Sequence, residues 1–351
     1  MVEREGFSNL IKVIEPRYAL PNRKYFSGSW LNDTYTKIST AVKNDLKDVE
    51  HISITTDIWT CTFTNDAYLS LTAHYLDEDF QSHSKCLTVE NFNDRHNAPN
   101  IKDTMQTALD EFDIKKESVH LAVRDNASNM VAGLREADIP NVGCLAHTLE
   151  LVVKEAILDS QESLDTLAAF RKLVGHYKHS VVASAALKKV QETHGIEVPL
   201  KLVQDVPTCW GSSYTMLERA LNLKKYILLS NVEIEYECEI SSQMWKHAEL
   251  LHKALGVFFD AVMQIEGDLT KSPISIAIPT INSLKDALSH EEGDEKLMRM
   301  KSLLAEALSK RLGNMETKSV YTVATFLDPR YKDQYFFDEL TSLKTINIVT
   351  G

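Results

Sequence analysis

The chain has 351 residues, 44% of them hydrophobic, enough for one large domain or two of common size around a proper core. Acidic residues number 50 against 38 basic ones, a formal net charge of −12, which excludes long-range attraction to a polyanion; DNA affinity then needs a local basic patch or a separate module. No stretch of eighteen apolar residues occurs, the start lacks the apolar core of a signal peptide, and the five cysteines (Cys61, Cys86, Cys144, Cys209, Cys238) form no CxxC pair, which excludes a membrane-spanning helix and argues for reduced thiols in the cytosol or nucleus.

Residues 1–30, with Pro16, Pro21 and Gly28, read as an irregular lead-in. Leu31, Tyr35, Ile38, Val42 and Leu46 recur at helical spacing and predict a helix over Leu31–Val49. Three strands are expected next: His51–Asp57, where Ile52 and Ile54 alternate with polar neighbours, then Ala67–Tyr75, then Lys85–Glu90. The turn Phe63–Asp66 joins the first two as a hairpin. A helix over Asn97–Phe112 carries Ile101, Met105, Ala108, Leu109 and Phe112 on one stripe. Val119, Leu121 and Val123 alternate in a strand that leads to Asp125, followed by a short helix and a short apolar stretch, Asn141–Leu145.

Beyond that point the pattern changes. From Ala146 to about Leu312 only helical periodicity is evident, as in Met216, Ala220, Leu223 and Ile227 of a helix opened by Ser212 and Ser213. Ser241–Val262 and Leu297–Leu312 are others, with Pro273 and Pro279 between them and an acidic, solvated loop at Ser289–Glu295. No fixed-period repeat appears, so a solenoid is not expected.

Two aspartates draw attention because each ends an apolar, alternating run. Asp57 and Asp125 fall at the carboxyl ends of strands, where open α/β sheets place their chemistry. If the strands lie side by side and parallel, the carboxylates meet at a metal-bridging distance of the order of 4–7 Å, offering hard oxygen ligands to Mg²⁺ or Mn²⁺. Each has an ordinary alternative: Asp125 as a helix N-cap, Asp57 as a turn residue. Cys144 and His147 have half of a zinc-site spacing without the two further ligands a tetrahedral site needs, so no zinc is expected; a buried Cys and a hydrogen-bonded His at a strand-to-helix junction is the alternative. Trp210 sits at a loop-to-helix boundary, where an exposed indole would stack on a displaced base and a buried one would pack the helices. Asp328 is followed by Pro329 and reads as a turn, not as a third acid. Gly-rich phosphate loops, Gly-x-Ser-x-Gly and HExxH are absent, which removes the common nucleotide-binding, hydrolase and zincin readings.

Thr56–Thr60, Arg124–Met130, Gly143–Val152, Pro207–Tyr214 and Phe326–Lys332 together resemble, in order and spacing, the hAT-superfamily transposase domain. Within it they resemble the transposase-derived BED-type zinc finger proteins. The resemblance implies an α/β fold, an RNase H-like core with a large all-α insertion after its last strand. It implies divisions at 1–50 (lead-in and helix), 51–157 (core), 158–314 (insertion) and 315–351 (C-terminal return segment). Asp57 and Asp125 would be the first two members of a metal-binding DDE triad, with Cys144 and His147 shaping the site and Trp210 near the DNA. Cys209 stands where the family has an arginine before that tryptophan. The third acid belongs in a later C-terminal helix, which is not found before Gly351; neither the BED finger nor the dimerisation segment used by homo-oligomeric relatives is found. The expectation is therefore a nuclear, transposase-derived protein without strand-transfer activity, acting in transcriptional regulation through DNA and other nuclear proteins. This chain alone would bind DNA weakly, Asp57 and Asp125 would bind Mg²⁺ or Mn²⁺ weakly, and no membrane is involved. The alternative is a fragment or isoform of an active DDE transposase that cleaves DNA and transfers strands with a metal.

Overall fold

Alternating apolar residues make the sheet, and the computed structural model, which describes residues 2–61, 63–206, 209–267, 273–290 and 293–351, shows what covers it. The chain divides into two compact units, Met1–Cys144 and Leu145–Gly351. The first opens with helices α1 (Glu5–Ile14), α2 (Arg23–Ser27) and α3 (Ser29–Leu46). Strands β1 (Ile52–Thr60), β2 (Ala67–Leu76) and β3 (Ser82–Asn91) follow, then α4 (Ala98–Glu111), β4 (Val119–Arg124), α5 (Ser128–Glu136) and β5 (Asn141–Gly143).

The five strands form one mixed sheet in the order β3-β2-β1-β4-β5. Its first three strands are antiparallel neighbours, whereas β1–β4 and β4–β5 pair in parallel. Ile54, Leu69, Leu71 and Ala73 are fully buried on one face, against Ile101, Met105 and Leu109 of α4 and Met130 and Leu134 of α5. Burying such side chains is worth about 1.5–3 kcal/mol each. The two covering helices approach closely because Gly133 of α5 lies against Ile101, where a Cβ would overlap the Ile101 side chain.

The second unit is helical among the described residues. It comprises α6 (Leu145–Leu158), α7 (Gln161–His179), α8 (Val181–Thr193), α9 (Trp210–Asn222), α10 (Lys224–Glu233), α11 (Ser242–Glu266), α12 (Ala277–Ser289), α13 (Glu295–Leu312), α14 (Ser319–Leu327) and α15 (Glu339–Thr350). Phe170 of α7 and Phe258 of α11 are its largest fully buried side chains. Asp205, on the segment between α8 and α9, is a buried carboxylate held by Arg171 Nε at 2.7 Å and by the Ser213 hydroxyl at 2.7 Å. Among the described residues no helix is long and apolar enough to cross a membrane.

Three expectations need correction. The lead-in is not irregular: α1 places Leu10, Ile11 and Ile14 at helical spacing, and α2 is started by Asn22, whose side chain accepts the Tyr25 N–H at 2.9 Å. The first helix runs 29–46 rather than 31–49, and β3 begins at Ser82 rather than Lys85. The last residues form a helix, α15, where none was expected; it follows an N-cap at Asp338, whose carboxylate accepts the Thr341 N–H at 2.7 Å. Pro207, Thr208, Glu291 and Glu292, from the expected motif and acidic loop, lie outside the described residues.

His247 of α11 offers a check on the helical unit. It is only 4% exposed, its Nε2 meets the Ser163 hydroxyl at 3.1 Å, and its Nδ1 has no hydrogen-bond partner. Burial lowers its pKa, with the Glu162 carboxylate opposing. The folded imidazole is thus harder to protonate than the unfolded one, near pH 6.5. Its contribution is complete above about pH 6.5 and is lost as pH falls through that value toward the folded pKa. Thermal melts between about pH 7.5 and 5.5 should show Tm falling with pH, and His247→Gln should flatten that slope. An equal slope in the variant would place the sensitivity elsewhere.

Candidate functional site

The site follows from strand register. β1 and β4 pair in parallel from Ser53 opposite Leu121 to Thr56 opposite Arg124, and there β4 ends. The next residue on each chain is an aspartate, so Asp57 and Asp125 leave the ladder side by side. β1 itself runs on, paired with β2 from Asp57 opposite Ser70 to Thr60 opposite Ala67. Asp57 is therefore exposed on a rigid strand rather than in a turn. Ile52, Ile54 and Thr56 alternate into the core, which puts Asp57 on the opposite face.

Asp125 is half-buried and begins the loop to α5. Its Oδ1 accepts the Ala127 N–H at 3.1 Å, an Asx turn. It is not the helix cap, a position taken by Ala127, whose side chain makes no capping bond. Arg124, to which the sequence reading assigned no role, ties the loop together. Its Nε donates to Asn141 Oδ1 at 3.0 Å and its Nη1 donates to the Asp125 carbonyl at 2.7 Å and Asn126 Oδ1 at 3.3 Å. The Arg124 carbonyl in turn accepts the Cys144 N–H at 2.6 Å. Gly143 completes the cluster, because a Cβ there would fall on Asn126 Oδ1. The adjacent acid in Arg124-Asp125-Asn126 was the signal for the arginine; nothing in a single sequence marks the contact that needs the glycine.

The other residues of interest are placed differently. Cys144 is half-exposed and ends β5, and His147 lies in the first turn of α6 with Nδ1 3.9 Å from Glu150 Oε2. Among the described residues, no group of three or more His, Cys, Asp or Glu side chains converges to hold a metal ion. Of the two alternatives for Trp210, the buried one is found: the indole is 5% exposed and packs edge-on to Phe259 of α11, which Tyr214 also stacks on. The first turn of α9 faces α11, so apolar packing takes the ring away from solvent. An exposed indole is found instead at Trp59, two residues beyond Asp57 on the same strand, 40% exposed and stacked on Tyr68 at 5.8 Å. Asp328 is engaged by Arg330 Nη2 at 2.7 Å and the Ser275 hydroxyl at 2.7 Å, which hold its carboxyl well below the usual range.

The comparisons with known proteins divide the chain near the same place. Residues 55–138 match the family model of the ZBED1 RNase-like domain, and residues 142–254 match that of the ZBED1 RNase-like helical domain. The human zinc finger BED domain-containing protein 4 is 29% identical over 96% of this chain and 30% of its own length. The putative AC transposase of Zea mays is 25% identical over 95% of this chain and 43% of its own length. The zinc finger BED domain-containing protein 6 of Mus musculus is 24% identical over 97% and 37% respectively. The sheet-bearing stretch thus matches the RNase-like model and the helical stretch after it the RNase-like helical model. The chain belongs to the hAT-type, transposase-derived BED family and spans less than half the length of these relatives.

Gly143→Ala tests how tightly the loop is built. The new methyl group must displace Asn126, which Arg124 holds, and overpacking of this kind costs about 1–3 kcal/mol. Urea denaturation should show that loss, and a variant as stable as the parent would mean the loop yields freely.

Proposed function

We propose that the first unit is an RNase H-like core, that the helices after it form an insertion, and that the chain serves as a nuclear module acting in transcriptional regulation through DNA and protein contacts, without strand-transfer activity. The observation that supports the reading is the β1–β4 register, whose last parallel pair is Thr56 opposite Arg124, so that Asp57 and Asp125 are the residues following it on each segment. This is the arrangement the family resemblance assigns to the first two metal carboxylates.

The donor set suits a hard divalent cation in kind and falls short in number. Asp57 and the Asp125 oxygen not engaged by Ala127 would hold Mg²⁺ or Mn²⁺, which when bound polarises a phosphate oxygen. With two carboxylates, most of the coordination falls to water and the ion is held weakly. Within the chain, Arg124 fixes the Asp125 loop, and Trp59 offers a ring beside the acids on which a base can stack. The relatives' names carry both a zinc finger family and a transposase, so DNA is the partner class they support. The net charge of −12 keeps this chain's own affinity low.

A second reading is favoured by the same register together with the likeness to the maize transposase: a fragment or isoform of an active DDE enzyme. Two measurements separate the readings. Mn²⁺ titration followed by electron paramagnetic resonance should give a dissociation constant of about 10⁻³ M, the weak end for oxygen-ligand sites, and Asp57→Asn should abolish it. Duplex DNA carrying a transposon end should remain intact with Mn²⁺; cutting that disappears in Asp57→Asn would establish the enzyme instead.

For the DNA contact, fluorescence anisotropy should place the parent chain in the non-specific range of about 10⁻⁴–10⁻⁶ M, falling as salt rises. Trp59→Ala should weaken single-strand binding by about 1–3 kcal/mol, the cost of one lost stack. An unchanged affinity would remove Trp59 from the interface.

A further inference from the structure

A second feature lies in the helical unit and is independent of the acid pair. The end of α7, the first turns of α8 and the extended segment 199–202 enclose a groove of about 650 Å³, a size typical of ligand sites. Lys178, Lys188 and Lys201 line it, together with Val181, Leu200 and Leu202, and no carboxylate does. In a chain with net charge −12 that is a local reversal of sign. Val181 is 84% exposed and Leu200 44%, so apolar surface is open to solvent between the ammonium groups.

The walls are held in place by the protein itself. Buried Gln191 of α8 donates to the Leu200 carbonyl at 3.0 Å and accepts the Leu200 N–H at 2.9 Å. Arg219 Nη1 holds the Lys201 carbonyl at 2.8 Å, and the Ser180 hydroxyl caps α8 through the Ala183 N–H at 3.1 Å. A groove already formed spares an incoming ligand the ordering of its wall. Lys188 has an ion-pair partner, Glu192 at 3.6 Å, but this is an exposed pair one helical turn away and exchanges readily. Lys178 and Lys201 have no ion-pair partner among the described residues.

We propose that this groove docks an acidic peptide segment carrying apolar side chains. The lysines match its carboxylates, and exposed Val181 and Leu200 with half-buried Leu202 match its apolar residues. Nucleic acid fits the lining less well. A duplex presents a convex phosphate ridge that leaves a concave apolar floor unfilled, and base stacking needs an exposed ring. The groove's aromatic residue, Tyr177, is buried, with its hydroxyl bonded to Ser230 at 2.6 Å and Asn231 at 2.7 Å.

The test uses the full chain and a short fluorescein-labelled peptide alternating glutamate with leucine. Anisotropy should report a dissociation constant of about 10⁻⁵ M, the level of a weak, transient contact. It should weaken about tenfold in the Lys178→Ala/Lys201→Ala double variant, because both charges lie at the rim of the groove. Replacing the peptide's leucines by serine should abolish binding, and so should Ser184→Trp, which fills the groove. Methyl NMR of the unmutated chain gives a readout that needs no variant: shifts should concentrate at Val181, Leu200 and Leu202. Absence of binding, equal affinity in the double variant, or shifts at other methyl groups would each overturn the proposal. So would a single-stranded oligonucleotide that takes the same methyl groups in preference to the peptide, which would reassign the groove to nucleic acid.

Discussion

β1 is bound on both edges by different rules, and that double constraint positions everything else in the first unit. On one edge it makes an antiparallel ladder with β2 through Thr60; on the other a parallel ladder with β4 stops at Thr56. Asp57 follows directly on the doubly paired stretch and is itself still paired with Ser70 of β2, so it is presented on a strand and not on a loop although it is exposed. The hydrophobic face protects the register. Shifting β1 by one residue would turn Ile52 and Ile54 out of the core and Asp57 into it. Core packing and carboxylate placement are therefore one requirement.

The partner acid is positioned by polar contacts instead. Asp125 lies past the end of β4, where no ladder restrains it, and its loop is fixed by Arg124, Asn126, Asn141 and the absence of a side chain at Gly143. The guanidinium there bonds the Asp125 carbonyl and the amide oxygens of Asn126 and Asn141, which would otherwise need water. One acid thus sits on a paired strand and the other on a cross-braced loop.

Much of this was readable from the residues. Alternation located the strands, and the place of each aspartate at a strand end, with the motif order of the family resemblance, gave the expectation of parallel neighbours. The overrun of β1 was not readable, because Ile58, Trp59 and Thr60 have strand-forming side chains yet no period that says where one of two ladders ends. α1 has a clear apolar stripe but buries none of its residues completely, so the nearby prolines and glycine dominated the reading of that stretch. Trp210 shows the opposite limit. A tryptophan at a helix start looks the same in a sequence whether it faces solvent or Phe259, and only the packing of α9 on α11 decides. The last helix, α15, was missed because Thr341, Thr345, Ile346, Ile348, Val349 and Thr350 favour strands by propensity, and the Asp338 cap with packing against α14 outweighs that preference.

The charge balance ties the two proposed surfaces together. Many of the chain's cations are already matched to carboxylates distant in sequence: Lys85 to Asp45, Lys116 to Asp138, Lys172 to Glu239, Lys189 to Glu233, Lys224 to Glu249, Lys296 to Glu162, and Lys310 with Arg311 to Glu155. Exposed pairs of this kind add little stability. Their larger effect is on the field, because a lysine paired within the chain is a weaker attractor for an external anion. What remains to attract one is local, and it differs between the units. On the strand that carries Asp57, the feature proposed for a nucleic acid is an exposed aromatic ring, Trp59, which would bind by stacking and needs no basic field. In the groove of the helical unit, unmatched ammonium groups border apolar surface, which selects for a ligand that is both anionic and apolar. The two proposed surfaces would thus act at short range and through different chemistry, an exposed ring in one and ammonium groups beside apolar side chains in the other.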